Sequence, residues 1–287
     1  MIVDLVQVMT RDGVRLDGTL QVPGASARAQ LPFDALLCIH GTGGSFYSSS
    51  LFDAIAERLV ELGSAVLRVN TRGHDGISTT VTSSGGRRAG AAYESVDDCR
   101  HDLAAWIHWL ERRGSNRIGL VGHSLGAVKC IYSLVSEPAP SVSHLVALSP
   151  PRLSYSHFAR SVAGPQFLAV FEKARNLIDQ ARGAELLDVG FPLPYVVSAA
   201  GYVDKYGPDE RFNFLNYIGR LPCPTLFLFG ALEVEQNLAF QGLPELVQRG
   251  APAPPRCAVE VIPDADHFYT GVRKEMMTRI EAWLSSS

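Results

Sequence analysis

Along the chain, short runs of consecutive apolar residues alternate with stretches in which apolar side chains recur every three or four positions. LVQVMT and RLDGTLQVP, separated by Arg11-Asp12-Gly13-Val14, read as an antiparallel hairpin. ALLCIHG, Ala35 to Gly41, is apolar almost throughout, as in a strand buried on both faces. SLFDAIAERLVELG then aligns Leu51, Ile55, Leu59 and Val60 on one helical face and ends at Gly63, a suitable C-cap. AVLRVNT predicts a strand, and Asp97 to Arg113 a helix striped by Leu103, Trp106, Ile107 and Leu110. RIGLVGH is another buried strand, with a helix over Leu125 to Ser136 directly behind it. HLVALSP, TLFLFG and CAVEVIP complete the strands, and GVRKEMMTRIEAWL closes the chain as an amphipathic helix. Such alternation predicts an α/β fold: a mostly parallel sheet with helices on both faces and its sites along the C-terminal strand edge.

One segment breaks the rhythm. Roughly 70 residues separate ALSPP, ending at Pro151, from PTLFLFG, far more than the usual ~10–25-residue crossover. QFLAVFEKARNLIDQARGAELL and YVVSAAGYVDKYG give them a mostly helical pattern rich in aromatics, with Gly164-Pro165 and Gly190 as candidate hinges. Both ends emerge at the active edge, so the expectation is a helical cap over 152–221 on a core of 1–151 and 222–287. Ala251 to Pro255, APAPP, reads as a short loop.

Composition narrows the classes. The 287 residues are 46% hydrophobic and 19% charged, with a net charge of −3, as in an ordinary globular protein. Arg87-Arg88 and Arg112-Arg113 are isolated doublets, which argues against a nucleic-acid partner. Gly85-Gly86-Arg87-Arg88 reads as a solvated loop, the alternative being a clamp for a substrate carboxylate. Five scattered cysteines without a C-x-x-C pair suggest reduced thiols and a cytoplasmic setting. No secretory signal, membrane span or metal-ligand spacing is evident, so neither metal nor cofactor is expected.

The chemistry gathers at G-x-S-x-G, Gly122 to Gly126. A random chain of this length holds that pattern about one time in ten, so the flanks decide. Here a strand enters and a helix leaves, the setting in which such a turn presents its serine as a nucleophile. Gly122 and Gly126 then answer the close approach of strand and helix, and the Leu125 amide is free to bind an oxyanion. A serine nucleophile needs a base. His267, in VIPDADHFYTG after the last strand, is in place for it, whereas His123 reads as packing. The histidine needs a carboxylate, for which Glu233 is first choice and Glu235 second; Asp264 and Asp266 read as loop-shaping. CIHGTGGSF offers a second oxyanion amide, that of Thr42, with Gly43 as understudy. Its glycines match no nucleotide-binding pattern.

Together these residues resemble the α/β-hydrolase superfamily over essentially the whole chain. HGTGG is similar to its oxyanion loop, NTRGHD to the segment after the next strand, GHSLG to its nucleophile elbow, GALE to its acid loop and ADHFY to its histidine loop. The resemblance implies a sheet of about eight strands, the second antiparallel to the rest, and cofactor-free hydrolysis through a serine acyl-enzyme. Glutamate in place of the commoner aspartate at position 233 is a departure that leaves the choice with Glu235 open. The aromatic cap suggests a small or medium apolar carboxylic ester as substrate. Thioester cleavage, acyl transfer and C–C hydrolysis use the same triad, and a slow or non-catalytic small-molecule receptor on the same fold is the rival from another class.

Overall fold

A computed structural model describes residues 3–25, 27–251 and 256–286, so the expected loop at Ala251–Pro255 lies outside the described residues from Pro252 on. β1 (Asp4–Met9) and β2 (Arg15–Gln21) form the hairpin. β3 (Ala35–Ile39), α1 (Ser50–Glu61), β4 (Ala65–Val69), β5 (Ser78–Thr82), β6 (Gly85–Ala89), α2 (Cys99–Arg112), β7 (Ile118–His123), α3 (Leu125–Ser136) and β8 (Val142–Leu148) follow. The insertion carries α4 (Tyr155–Ala159), α5 (Gly164–Asp179), β9 (Leu186–Val189), β10 (Tyr195–Ser198) and α6 (Ala199–Tyr206). The chain returns through β11 (Thr225–Gly230), α7 (Ala231–Gln236), α8 (Leu243–Gly250), β12 (Cys257–Ile262) and α9 (Arg273–Leu284).

The main sheet has eight strands in the order β1-β2-β4-β3-β7-β8-β11-β12, with β2 antiparallel to both neighbours and the remaining pairs from β4 to β12 parallel. Burial on both faces explains the unbroken apolar runs. In β3, Ala35, Leu37 and Ile39 pack into one core layer with α2 and α3, while Leu36 and Cys38 pack into the other with α1 and α9. The parallel strands all end at one edge, where His40, Asn70, Ser124, Ser149, Ala231 and Pro263 take up the chain. Among the described residues, no helix is long and apolar enough to cross a membrane.

Two stretches differ from expectation. Gly85–Ala89 is a strand paired with Ser78–Thr82, its arginines exposed, rather than a loop. In the insertion, helix α5 stops at Asp179, and Leu186–Val189 pairs antiparallel with Tyr195–Ser198 instead of continuing as helix. Leu187, Val189 and Val197 gain burial on one face of that hairpin, which outweighs the weak helical pattern of the sequence. Gly164 is buried at the start of α5, where a Cβ would lie 2.3 Å from the Ala159 carbonyl oxygen.

Candidate active site

Ser124 joins β7 to α3 with φ 56° and ψ −127°, a conformation that costs a non-glycine residue about 1–3 kcal/mol. Its backbone N–H donates to Leu148 O at 2.8 Å, which pins the turn to β8. A Cβ on Gly122 would lie 2.5 Å from Gly126 O, and one on Gly126 2.1 Å from Ile39 O. The glycines are therefore required by backbone contact, as the motif suggests. The N–H groups of Leu125, at the first turn of α3, and of Thr42 have no hydrogen-bond partner among the described residues.

His267 approaches from the loop after β12. Its Nδ1 lies 2.6 Å from Glu233 Oε2, and an ionised carboxylate only accepts, so Nδ1 carries the proton and Nε2 is left as an acceptor. The other oxygen, Glu233 Oε1, accepts from Ser149 Oγ at 2.6 Å and from the Gly230 N–H at 2.8 Å. Tyr269 OH lies 2.8 Å from Ser149 Oγ and donates to Leu228 O at 3.1 Å. Glu233 is buried, whereas Glu235 is exposed, so the structure brings the first of the two glutamates to the histidine. Asp266 Oδ1 accepts the Phe268 and Thr270 N–H groups at 2.9 Å, folding the loop as expected. No hydrogen bond joins Ser124 Oγ to His267 among the described residues; the two side chains line the same cavities.

His123 does more than fill space. Its Nε2 donates to the His267 carbonyl at 2.7 Å, and the two rings lie 4.7 Å apart. Burial pushes the His123 pKa down to about 3, so a neutral ring holds the histidine loop. His40 plays the matching part for the loop after β3: Nδ1 donates to Gly41 O at 2.8 Å, while Nε2 accepts the Thr71 N–H at 3.0 Å. Burial, reinforced by the charge of Lys129, lowers its pKa to about 3. Beneath it, Lys129 Nζ donates to Thr71 Oγ1 at 3.1 Å and pairs with the buried Glu94. These partners come from distant strands and loops, and nothing in local sequence marks them.

Ser124 stands where two cavities meet. One, of about 260 Å³, runs between Gly41, Thr42 and Gly44, Ser48–Phe52 and Phe268. The other, of about 150 Å³, runs under the insertion between Leu125, Arg152, Leu153, Phe158, Tyr206 and Phe240. Thr42, Ser124, Leu193 and His267 are common to both, and Gly43 lines neither. Arg87 and Arg88 belong to a separate pocket, away from the serine. Among the described residues, no group of three or more His, Cys, Asp or Glu is placed to hold a metal ion.

Comparison with known proteins places the chain in a family. A model of the alpha/beta hydrolase family matches residues 36–276. A search of curated proteins finds no significant match. Among solved structures, the chain is similar to an alpha/beta hydrolase, GrgF, from Penicillium sp. sh18, with a TM-score of 0.72 at 17% identity over 100% of this chain and 99% of that one. It is similar to Est1E from Butyrivibrio proteoclasticus with ferulic acid bound, with a TM-score of 0.68 at 17% identity over 98% of each chain. A monoacylglycerol lipase from Paleococcus ferrophilus gives a TM-score of 0.63 at 18% identity over 100% of this chain and 99% of that one. With most of its length matched, from the strand that leads to Thr42 to the helix that follows His267, the chain belongs to the alpha/beta hydrolase family.

Proposed function

We propose that the protein is a serine hydrolase that cleaves a small or medium carboxylic ester through an acyl-enzyme on Ser124. The observation that carries this reading is the 2.6 Å Glu233–His267 pair, which fixes the tautomer with Nε2 free, beside a serine held at φ 56°. His267 Nε2 takes the proton of Ser124 as Oγ attacks the ester carbonyl. The Leu125 and Thr42 amides bind the resulting oxyanion. His267 returns the proton to the leaving alcohol as the C–O bond breaks. Water, deprotonated by the same nitrogen, then attacks the acyl-enzyme, and the carboxylic acid departs as Ser124 regains its proton. Glu233 stays ionised and stabilises the imidazolium. Residues 152–221 act as a cap whose Phe158, Leu193 and Tyr206 shield the ester from solvent. The esterases and lipase of similar fold agree with this reading at the level of architecture.

The test is hydrolysis of 4-nitrophenyl acetate, butyrate and octanoate by the purified protein and by Ser124→Ala, with fluorophosphonate labelling alongside. Turnover and labelling are both expected of the protein, with kcat at least 10⁴-fold lower in the variant. An unlabelled serine together with no turnover would refute the assignment.

A further inference from the structure

The cavity beneath the insertion is apolar on most of its wall, yet two cations reach it. Arg152 and Lys205 both line it, and both are more than nine-tenths buried. Burying a charge is costly unless a counter-charge sits beside it. Among the described residues, neither cation has a carboxylate within 4 Å. Arg152 spends its terminal nitrogens on the His157 ring, at 2.7 Å to Nδ1, and on Gln241 O at 2.7 Å, and its buried Nε has no partner. Lys205 Nζ donates to Tyr195 OH at 3.2 Å and lies over that ring.

The acids whose fields reach this corner are committed elsewhere. Glu94 is paired with Lys129. Asp204 accepts from Ser95 Oγ and the Val96 N–H at 3.2 and 3.0 Å. Glu210 accepts the Ser156 N–H at 2.7 Å and Asn213 Nδ2 at 2.9 Å. Two buried cations thus face a small cavity that ends at Ser124, each without a carboxylate in ion-pair range among the described residues.

We propose that the missing counter-charge belongs to the substrate: the half of the ester seated beneath the insertion ends in a free carboxylate that Lys205 and Arg152 hold. A cavity of about 150 Å³ accepts a group the size of benzene, which a three-carbon spacer with a terminal carboxylate matches. The preferred substrates are accordingly hemi-esters of short dicarboxylic acids. This assignment refines the hydrolase reading and rests on it for the reaction, but not for the binding.

Calorimetry on Ser124→Ala protein separates the two. Monomethyl glutarate is expected to bind at least tenfold more tightly than dimethyl glutarate, its neutral analogue. Adding Lys205→Met or Arg152→Met should bring the two within about threefold, while Lys205→Arg keeps the preference. Because Lys205→Met removes a cation whose one hydrogen bond, to Tyr195 OH, is 3.2 Å long, thermal unfolding of this variant should occur at an equal or higher temperature, whereas Arg152→Met also loses the bonds to His157 and Gln241 and should unfold lower. Equal binding of the two esters, or a preference that survives both Met variants, would overturn the anion site. Ester turnover by the unmutated protein without such a preference would leave the hydrolase standing and remove the anion site. A tenfold preference in a protein that neither turns over esters nor labels at Ser124 would do the reverse.

Discussion

Glu233 receives two donors from its own side of the site, the Gly230 amide and the Ser149 hydroxyl, and so presents only Oε2 to His267. Each donor to a charged acceptor contributes about 1.5–3 kcal/mol, so removing one is expected to act on the histidine through the carboxylate. Ser149→Ala should lower kcat about tenfold or more with little change in KM, and Tyr269→Phe should lower it less. Glu233→Gln, which holds His267 in the wrong tautomer, should lower kcat about 10⁴-fold, whereas the exposed Glu235→Gln should leave it unchanged. Steady-state kinetics on one ester distinguishes these outcomes. Legibility divides along the same line. Ser124, His267 and Glu233 stand out because each follows a strand whose hydrophobic pattern locates it. Ser149, His123 and His40 do not, because their roles come from pairing between strands far apart in the chain. Lys205 reads in the sequence as one polar residue of a short helix, and that no carboxylate among the described residues pairs with it emerges only when the insertion is folded onto the core.

At the level of elements, the insertion is tied to the core through Asp97, just before α2. Its carboxylate takes Arg100 Nη2 at 2.7 Å, the Tyr132 hydroxyl at 2.7 Å and Arg211 Nη2 at 2.5 Å. Arg100 above all, then Tyr132 and Arg211, outweigh burial and hold the Asp97 pKa at about 2, against an ordinary 3.8. A depressed carboxyl stabilises the fold at pH values above the unfolded pKa, and that stability is lost as pH falls from about 4 towards 2. The group is partly solvated, so the contribution is about 1 kcal/mol after screening. Other depressed carboxyls, Asp34, Glu137 and Glu281 among them, lose stability over the same range, so urea unfolding at pH 5 and pH 2.5 should show a loss about 1 kcal/mol smaller in Asp97→Asn, already weaker at pH 5, than in the parent. The insertion is also where the sequence pattern misleads about secondary structure. Leu186-Leu187 extends the apolar spacing of α5, and Val196-Val197 is too short a run to separate strand from helix by periodicity.

Over the whole molecule, the two core layers account for the thiols. All five cysteines are free and buried, and burial raises Cys38 and Cys223 to about 12 and Cys257 to about 11. Ellman's reagent should therefore leave the native protein unmodified at pH 8, with all five thiols reacting only as denaturant unfolds the chain; fast modification of any native thiol would contradict this packing. The sheet itself is legible because, after the opening hairpin, its apolar runs are separated by helical stripes on either side of the insertion, and right-handed crossovers leave few ways to arrange them. Side-chain partners across the sheet had no such rule to reveal them. The meeting of two cavities at Ser124, with Leu193 in the wall of both, bears on how such a protein would sort molecules. A substrate spanning both is gauged by two arms measured from its scissile carbon rather than by its total length. Two isomeric esters of the same formula, with the ester group displaced by a single methylene, would then be told apart, one seated in both arms and the other too long for the shorter.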